Sequence, residues 1–185
     1  RFEETSGNFF TTDLGRVASH FYIQNETISA FNEFFKAKRD PKAVSKKERE
    51  GHVSDAEVLH LIANASEFQN IVLREEEMDE LDQLQDSCLL EVKGGPENTE
   101  GKVNILLQSY ISQARVDSFS LVSDINYVAQ NAGRIVRALF EIALKKNWPR
   151  LALQLHRFCK MTEQRLWISA HPLRQFGSAV SPGVL

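Results

Sequence analysis

The stretch Asp124-Ile125-Asn126-Tyr127-Val128-Ala129-Gln130-Asn131-Ala132-Gly133-Arg134-Ile135-Val136-Arg137-Ala138-Leu139-Phe140-Glu141-Ile142-Ala143-Leu144-Lys145-Lys146 sorts its residues by chemistry around a helix. At 100° per residue, Ile125, Val128, Ala129, Ala132, Ile135, Val136, Leu139, Phe140 and Ala143 share one face. Tyr127, Gln130, Asn131, Arg134, Ala138 and Glu141 fall on the other, with Arg134 near its centre and Arg137 at its margin. The first face requires a core. The second offers an aromatic ring, amides and guanidiniums, spread along the helix at a rise of about 1.5 Å per residue. Phosphates and exposed bases suit such a surface. An ordinary solvated face has the same composition. Arg137 and Glu141 are spaced to pair, and Tyr127 is placed to pack on a neighbouring helix. Gly133 costs roughly 1 kcal/mol in a helix interior, which a closely packed neighbour would explain.

Outward from this segment the chain reads as helices. Thr12 caps a helix to about Tyr22, and Asn25 caps another to about Phe35. Ser54 with Glu57 three residues on forms a capping box for a helix to about Asn64. Asn70 to Leu73 reads as extended, and Glu75 to Gln85 as an acidic helix with a solvated start. Gly94-Gly95-Pro96 is a break. Lys102 to Gln113 is apolar enough for deep burial. The long helix takes Ser123 or Asp124 as its cap and ends near Asn147 or Trp148. Pro149 then opens a last helix to about Trp167. The region 37–53 is charged, aperiodic and interrupted by Pro41 and Gly51, so it reads as a mobile loop. Phe2 to Phe10 reads as a hairpin turning at Gly7, the end of a preceding domain. The expectation is an all-α multi-helix bundle with one long central helix and a short N-terminal β-hairpin. Residues 1–11 form the hairpin, 12–176 the bundle, and 177–185 a tail opening the next unit.

The 185 residues are 42% hydrophobic, enough for one core, and carry a net charge of −3. No global pull toward nucleic acid or acidic membranes follows from that charge. Its distribution is uneven: Ser66 to Glu100 is acidic, with the carboxylates clustered from Glu75 to Asp86, and Ile125 to Trp167 is basic. Cys88 and Cys159 are far apart and lack CxxC spacing, which reads as buried or free thiols in a reducing compartment. No apolar run approaches about 18 residues, so no membrane partner is expected. The sequons at Asn25 and Asn64 read as chance.

Motifs for catalysis are missing. There is no Walker A or DExH motif, no GxSxG and no HExxH, so no catalytic residue is assigned. His156 and Cys159 are three apart on a helix, but no second pair completes a metal site, and they read as a packed histidine and a buried thiol. Glu75, Glu76 and Glu77 diverge around a helix instead of converging on a cation.

Several stretches in order resemble the Sec63 domain of Ski2-like helicases: LGRVASHFYI at 14–23, TISAFN at 27–32, EF at 67–68 and VLREEE at 72–77. KVNILLQ at 102–108, YIS at 110–112, YVAQNAGRIVRALFEI at 127–142, KM at 160–161, RLW at 165–167 and PLRQF at 172–176 continue the series. The resemblance runs from Asn8 to Phe176 and leans toward the cointegrator-complex branch, with the spliceosomal branch a near relative. It departs in a longer loop at 38–53.

The resemblance implies a module of a larger ATP-dependent 3′-to-5′ helicase. ATP and magnesium would serve the parent, with no cofactor on this chain. Its partners would be single-stranded nucleic acid, the RecA-like and winged-helix domains of the same parent, and other subunits of a cointegrator-type complex, in the nucleus or cytosol. Repair, transcription or ribosome surveillance would be its setting. The helix at 124–146 would be the ratchet lying across the strand, with Asn131 and Arg134 facing it and Tyr127, Gln130 and Arg137 in support. Gly133 and Ala138 would keep its surface low. The hairpin would be the wing of the winged helix. Two other readings stay open: a protein-interaction scaffold from a regulatory helicase cassette, and a component of the secretory translocon, from which the domain takes its name.

Overall fold

The computed structural model describes residues 2–38 and 53–180. The loop read at 37–53 lies outside the described residues over 39–52, as does the tail beyond 180. Among the described residues the architecture is a two-stranded hairpin followed by α-helices. Strand β1 (Phe2–Glu3) pairs antiparallel with β2 (Asn8–Phe9), Phe2 opposite Phe9 and Glu3 opposite Asn8. Gly7 sits at φ +68 in the turn, and its N–H donates to the Glu3 carbonyl at 2.9 Å.

Helix α1 (Asp13–Phe21) starts where Thr12 Oγ1 accepts from the Gly15 N–H at 3.0 Å. Helix α2 is Asn25–Ala37, with Gln24 in the cap position and no cap from its own side chain. The cap comes from elsewhere. The buried Glu67 carboxylate accepts from the Gln24 N–H at 2.8 Å and from Thr27 Oγ1 at 2.6 Å, placing negative charge at the positive end of the helix. Helix α3 (Asp55–Ala63) carries the capping box in full: Ser54 caps the Glu57 N–H, and Glu57 accepts from the Ser54 N–H. A 3-10 turn at Ser66–Phe68 follows, and residues 71–74 run without regular pairing.

The acidic stretch divides into a 3-10 turn (Glu75–Glu77) and helix α4 (Met78–Asp86). Its start is not wholly solvated. Glu75 and Glu76 are exposed, but Glu77 is 2% exposed and ion-paired. Helix α5 (Thr99–Ser112) is the buried centre, with Val103, Ile105, Leu106, Leu107 and Ile111 closed off from solvent.

Helix α6 (Phe119–Lys145) is 27 residues long and begins five residues before the start expected from the sequence. Neither Ser123 nor Asp124 caps it. Ser118 occupies the cap position with no bond from its own side chain, and Glu80 of α4 accepts from the Asp117 N–H at 2.7 Å and the Ser118 N–H at 3.2 Å. At the other end Trp148 N–H donates to Ala143 O at 2.9 Å across a left-handed Asn147. Pro149 then opens helix α7 (Pro149–Gln164). The Trp167 indole N–H donates to Ser112 Oγ at 2.7 Å, pinning the segment after α7 to α5. A 3-10 segment spans Pro172–Ala179.

The long helix packs against α1, α3, α5 and α7. Val128, Ala132, Ile135, Val136, Leu139 and Ala143 are buried, as their shared face requires. Ala138 is also fully buried, although the wheel places it on the outer face. Cover from four helices widens the buried arc past the edges that periodicity assigns, so Ala138 cannot lower an exposed surface. No helix among the described residues is long and apolar enough to cross a membrane.

Candidate nucleic-acid interface

The outer face of α6 carries the residues singled out from the sequence, but in three different states. Gln130, Arg134 and Arg137 are exposed. Tyr127 is 41% exposed, and its hydroxyl donates to the Glu67 carbonyl at 2.8 Å while its ring stands edge-on to Phe68. Asn131 is only 6% exposed. Its Nδ2 donates to the Tyr127 carbonyl one turn back at 2.8 Å, and its Oδ1 accepts from Arg134 Nη2. Asn131 therefore orients the Arg134 guanidinium. Arg134 Nη1 also reaches the Tyr22 carbonyl at the end of α1, at 3.3 Å. The guanidinium thus lies held across the α1–α6 junction, with one edge satisfied by protein acceptors.

Arg137 does not pair with Glu141. It crosses to α7 and meets Glu163 at 2.8 Å, while Glu141 pairs with Lys145 at 3.2 Å. The register of α6 on α7 brings Glu163 within reach, and Lys145 takes the i,i+4 slot that Arg137 leaves. Gly133 is open: a methyl added there would meet nothing within 4 Å, so no closely packed helix accounts for it. His156 is exposed with its ring 5.5 Å from Phe140, and Cys159 is half-buried. Burial pushes the Cys159 thiol up to about 11, which leaves it protonated and unreactive near neutrality.

The family described as the Sec63 Brl domain matches residues 11–182. The chain is 50% identical, over its whole length, to activating signal cointegrator 1 complex subunit 3 of Homo sapiens. It is 49% identical over 95% of its length to the DExH-box ATP-dependent RNA helicase DExH14 of Arabidopsis thaliana. Identity to the U5 small nuclear ribonucleoprotein 200 kDa helicase of Homo sapiens is 39%, again over 95% of the chain. The chain belongs to the Sec63 Brl domain family. It spans about 8% of the length of each of these relatives.

In this Sec63 Brl domain the earlier start of α6 extends the exposed stripe beyond what the sequence suggested. Phe119, 88% exposed, and Asn126 lie on the same line as Gln130 and Arg137, at multiples of roughly 100° per residue. The signal was present in the sequence as a period, but Ser118-Phe119-Ser120 offers no capping bond of its own to mark the start.

The domain also holds a buried ion network that periodicity does not reveal. Lys102 Nζ donates to Glu77 Oε2 at 2.6 Å and to the Val72 carbonyl at 2.8 Å, and lies 2.7 Å from Asp124 Oδ2. Arg74 bridges the same two carboxylates from the outer side, at 2.6 and 3.2 Å. Burial pushes the Glu77 carboxyl upward, but hydrogen bonds from Lys102, Ser120 and Arg74 outweigh it and hold the group below its ordinary value. This network ties the root of α6 to α5 and to the turn before α4, and so fixes where the exposed stripe points.

Proposed function

We propose that this chain is a non-catalytic, strand-guiding domain of an ATP-dependent 3′-to-5′ helicase, contacting a translocating single strand through the outer face of α6. The observation that carries this reading is the exposed stripe of Gln130, Arg134 and Arg137, with Tyr127 beside it and Asn131 beneath, on a helix anchored by four neighbours. A guanidinium whose direction is set by Asn131 and the Tyr22 carbonyl is preorganised, so little ordering remains to be done when a phosphate arrives. Rings and guanidinium planes on bases contribute roughly 1–3 kcal/mol per base in single-strand binders. Contacts of that size hold a strand between power strokes and still release it.

The names of the relatives support a helicase parent. The residues of this chain do not fit a nucleoside triphosphate, because no glycine-rich loop leads into a helix beginning Lys-Ser or Lys-Thr. ATP and magnesium therefore belong to other parts of the parent. The hairpin at 2–9 is the wing of a winged helix on the same reading, and the neighbouring parent domains and cointegrator-type subunits are its protein partners. Its setting is the nucleus or cytosol.

The test is equilibrium binding of a single-stranded 12-mer by wild type and by the double variant Arg134→Ala, Arg137→Ala, at two salt concentrations. Binding on the order of 10⁻⁴ to 10⁻⁶ M that weakens with salt and with the double change supports the reading. Binding unaffected by the change overturns the assignment to α6. No binding at low salt moves the weight to the scaffold reading, for which the exposed Asp79, Asp82 and Asp86 on α4 offer the surface.

A further inference from the structure

Helix α7 commits its two flanks to neighbours and leaves the strip between them unmet. On one flank Gln154 Nε2 donates to the Val53 carbonyl at 2.9 Å and to Asp55 Oδ1 at 2.7 Å, tying α7 to the start of α3. On the other, Glu163 holds Arg137 across the α6–α7 groove. Between them Arg150, Leu153, Arg157, Lys160 and Gln164 are all exposed. At roughly 100° per residue they fall within about 80° of arc, and Arg150 to Lys160 spans about 15 Å. Glu163 is the only carboxylate on α7, and it lies outside this strip. Neither Arg157 nor Lys160 forms an ion pair with another described residue.

The strip is not purely cationic. Leu153, between Arg150 and Arg157, is 55% exposed. One turn back, at the α6–α7 elbow, Leu144, Trp148, Pro149 and Ala152 line a shallow pocket of about 240 Å³, and Leu144 is 51% exposed. Positive charge asks for an anionic partner, and these apolar side chains decide which kind. A phosphate backbone would meet the cations but leave Leu153 and the elbow pocket in water, and the strip has no aromatic ring on which a base stacks. A protein helix covers both. The spacing Leu153, Arg157, Lys160, four residues and then three, is that of a single helix face. A second helix laid antiparallel along it matches these positions with carboxylates three apart and an apolar side chain four further on.

We propose that this strip and the elbow pocket form a docking surface for an acidic amphipathic helix of a partner protein. Its apolar side chain sits on Leu153 at the mouth of the elbow pocket, and its carboxylates meet Arg157 and Lys160. The surface excludes Gln130, Arg134 and Arg137, and the proposal does not rest on the strand-guiding reading.

The probe is a fluorescein-labelled, hydrocarbon-stapled alanine–glutamine helix with two aspartates three apart and a leucine four residues after the second. Its binding to the chain is read by fluorescence anisotropy. Leu153→Ala weakens binding at least about threefold, and Arg157→Glu with Lys160→Glu at least about tenfold, because like charges then face each other. A second probe with lysines in place of both aspartates binds that reversed variant and not wild type, which a merely structural role would not produce. All three side chains are exposed, so melting temperatures stay close to wild type. Absence of binding by wild type up to about 1 mM probe, or absence of the charge-swap recovery, overturns the proposal. The neutral variant Arg157→Gln with Lys160→Gln separates the other class of partner. At about 0.15 M salt, where charges beyond about 8 Å are screened, it weakens the acidic probe and leaves affinity for a single-stranded 12-mer within about twofold. Equal weakening of both assigns the strip to nucleic acid and overturns the docking surface.

Discussion

Lys102 Nζ lies 2.6 Å from Glu77 Oε2, and both side chains are closed off from water at 0% and 2% exposure. The ammonium donates to Glu77 and to the Val72 carbonyl and is ion-paired with Asp124 at 2.7 Å. Full satisfaction is what makes a buried charge tolerable, because an unpaired one forces desolvation without return. Lys102→Ala is therefore expected to cost about 3–5 kcal/mol by leaving Glu77 buried without its main partner. Lys102→Met combined with Glu77→Gln should cost clearly less. Urea unfolding of the two variants checks this, and a single change costing no more than the double would contradict it.

Glu80 caps the long helix from a different element. Glu80→Ala removes the acceptor for the Asp117 and Ser118 N–H groups. The expected loss is about 1 kcal/mol, seen as a fall of roughly 2–4 °C in melting temperature for a chain of this size. Hydrogen exchange should quicken at the start of α6, and uniform exchange along α6 would count against a cap.

Glu57 carries an acid-sensitive cap. The hydrogen bond from Lys38 at 2.6 Å, with the Ser54 N–H, lowers its carboxyl from 4.5 to about 2. A lowered carboxyl contributes stability that is present above pH 4.5 and is lost as the pH falls through 2. The Glu57→Gln protein should be less stable at neutral pH and lose less on acidification across that window. Parallel acid limbs for the two proteins would show that Glu57 does not couple to folding.

Glu163 restrains Arg137 across the α6–α7 groove. Both partners are more than half exposed, so Glu163→Gln should change stability by no more than about 0.5 kcal/mol. On the strand-guiding reading the same change frees a guanidinium and removes a repelling charge. Affinity for a single-stranded 12-mer should rise several-fold, with a steeper dependence on salt. Unchanged affinity would place Arg137 outside the strand path.

Much of the helical order was legible because its signals are local. Thr12, the Ser54–Glu57 box and Pro149 each act within a few residues of themselves, and the structure uses all three as read. The apolar face of α6 was legible for the same reason, as a period. The candidate stripe was legible in part. Exposure separates Gln130, Arg134 and Arg137 from Asn131, which the wheel grouped with them, and no sequence spacing predicts that Arg137 would choose Glu163 over Glu141.

By itself the sequence determined where most of the described helices lie, which face of the long helix is apolar, and which polar side-chain types line its other face. Those properties depend on caps, periods and side-chain types that neighbours along the chain decide. The tertiary structure alone decided where α6 begins, since Glu80 of α4 supplies its cap, and how α2 is capped, since Glu67 does the same there. It also decided that Glu77 and Lys102 lie buried as partners and that the α6–α7 groove opens over Gly133. Each of these is a contact between residues about 25 or more positions apart in the chain, and charge pairing and packing across such distances exist only once the helices have docked.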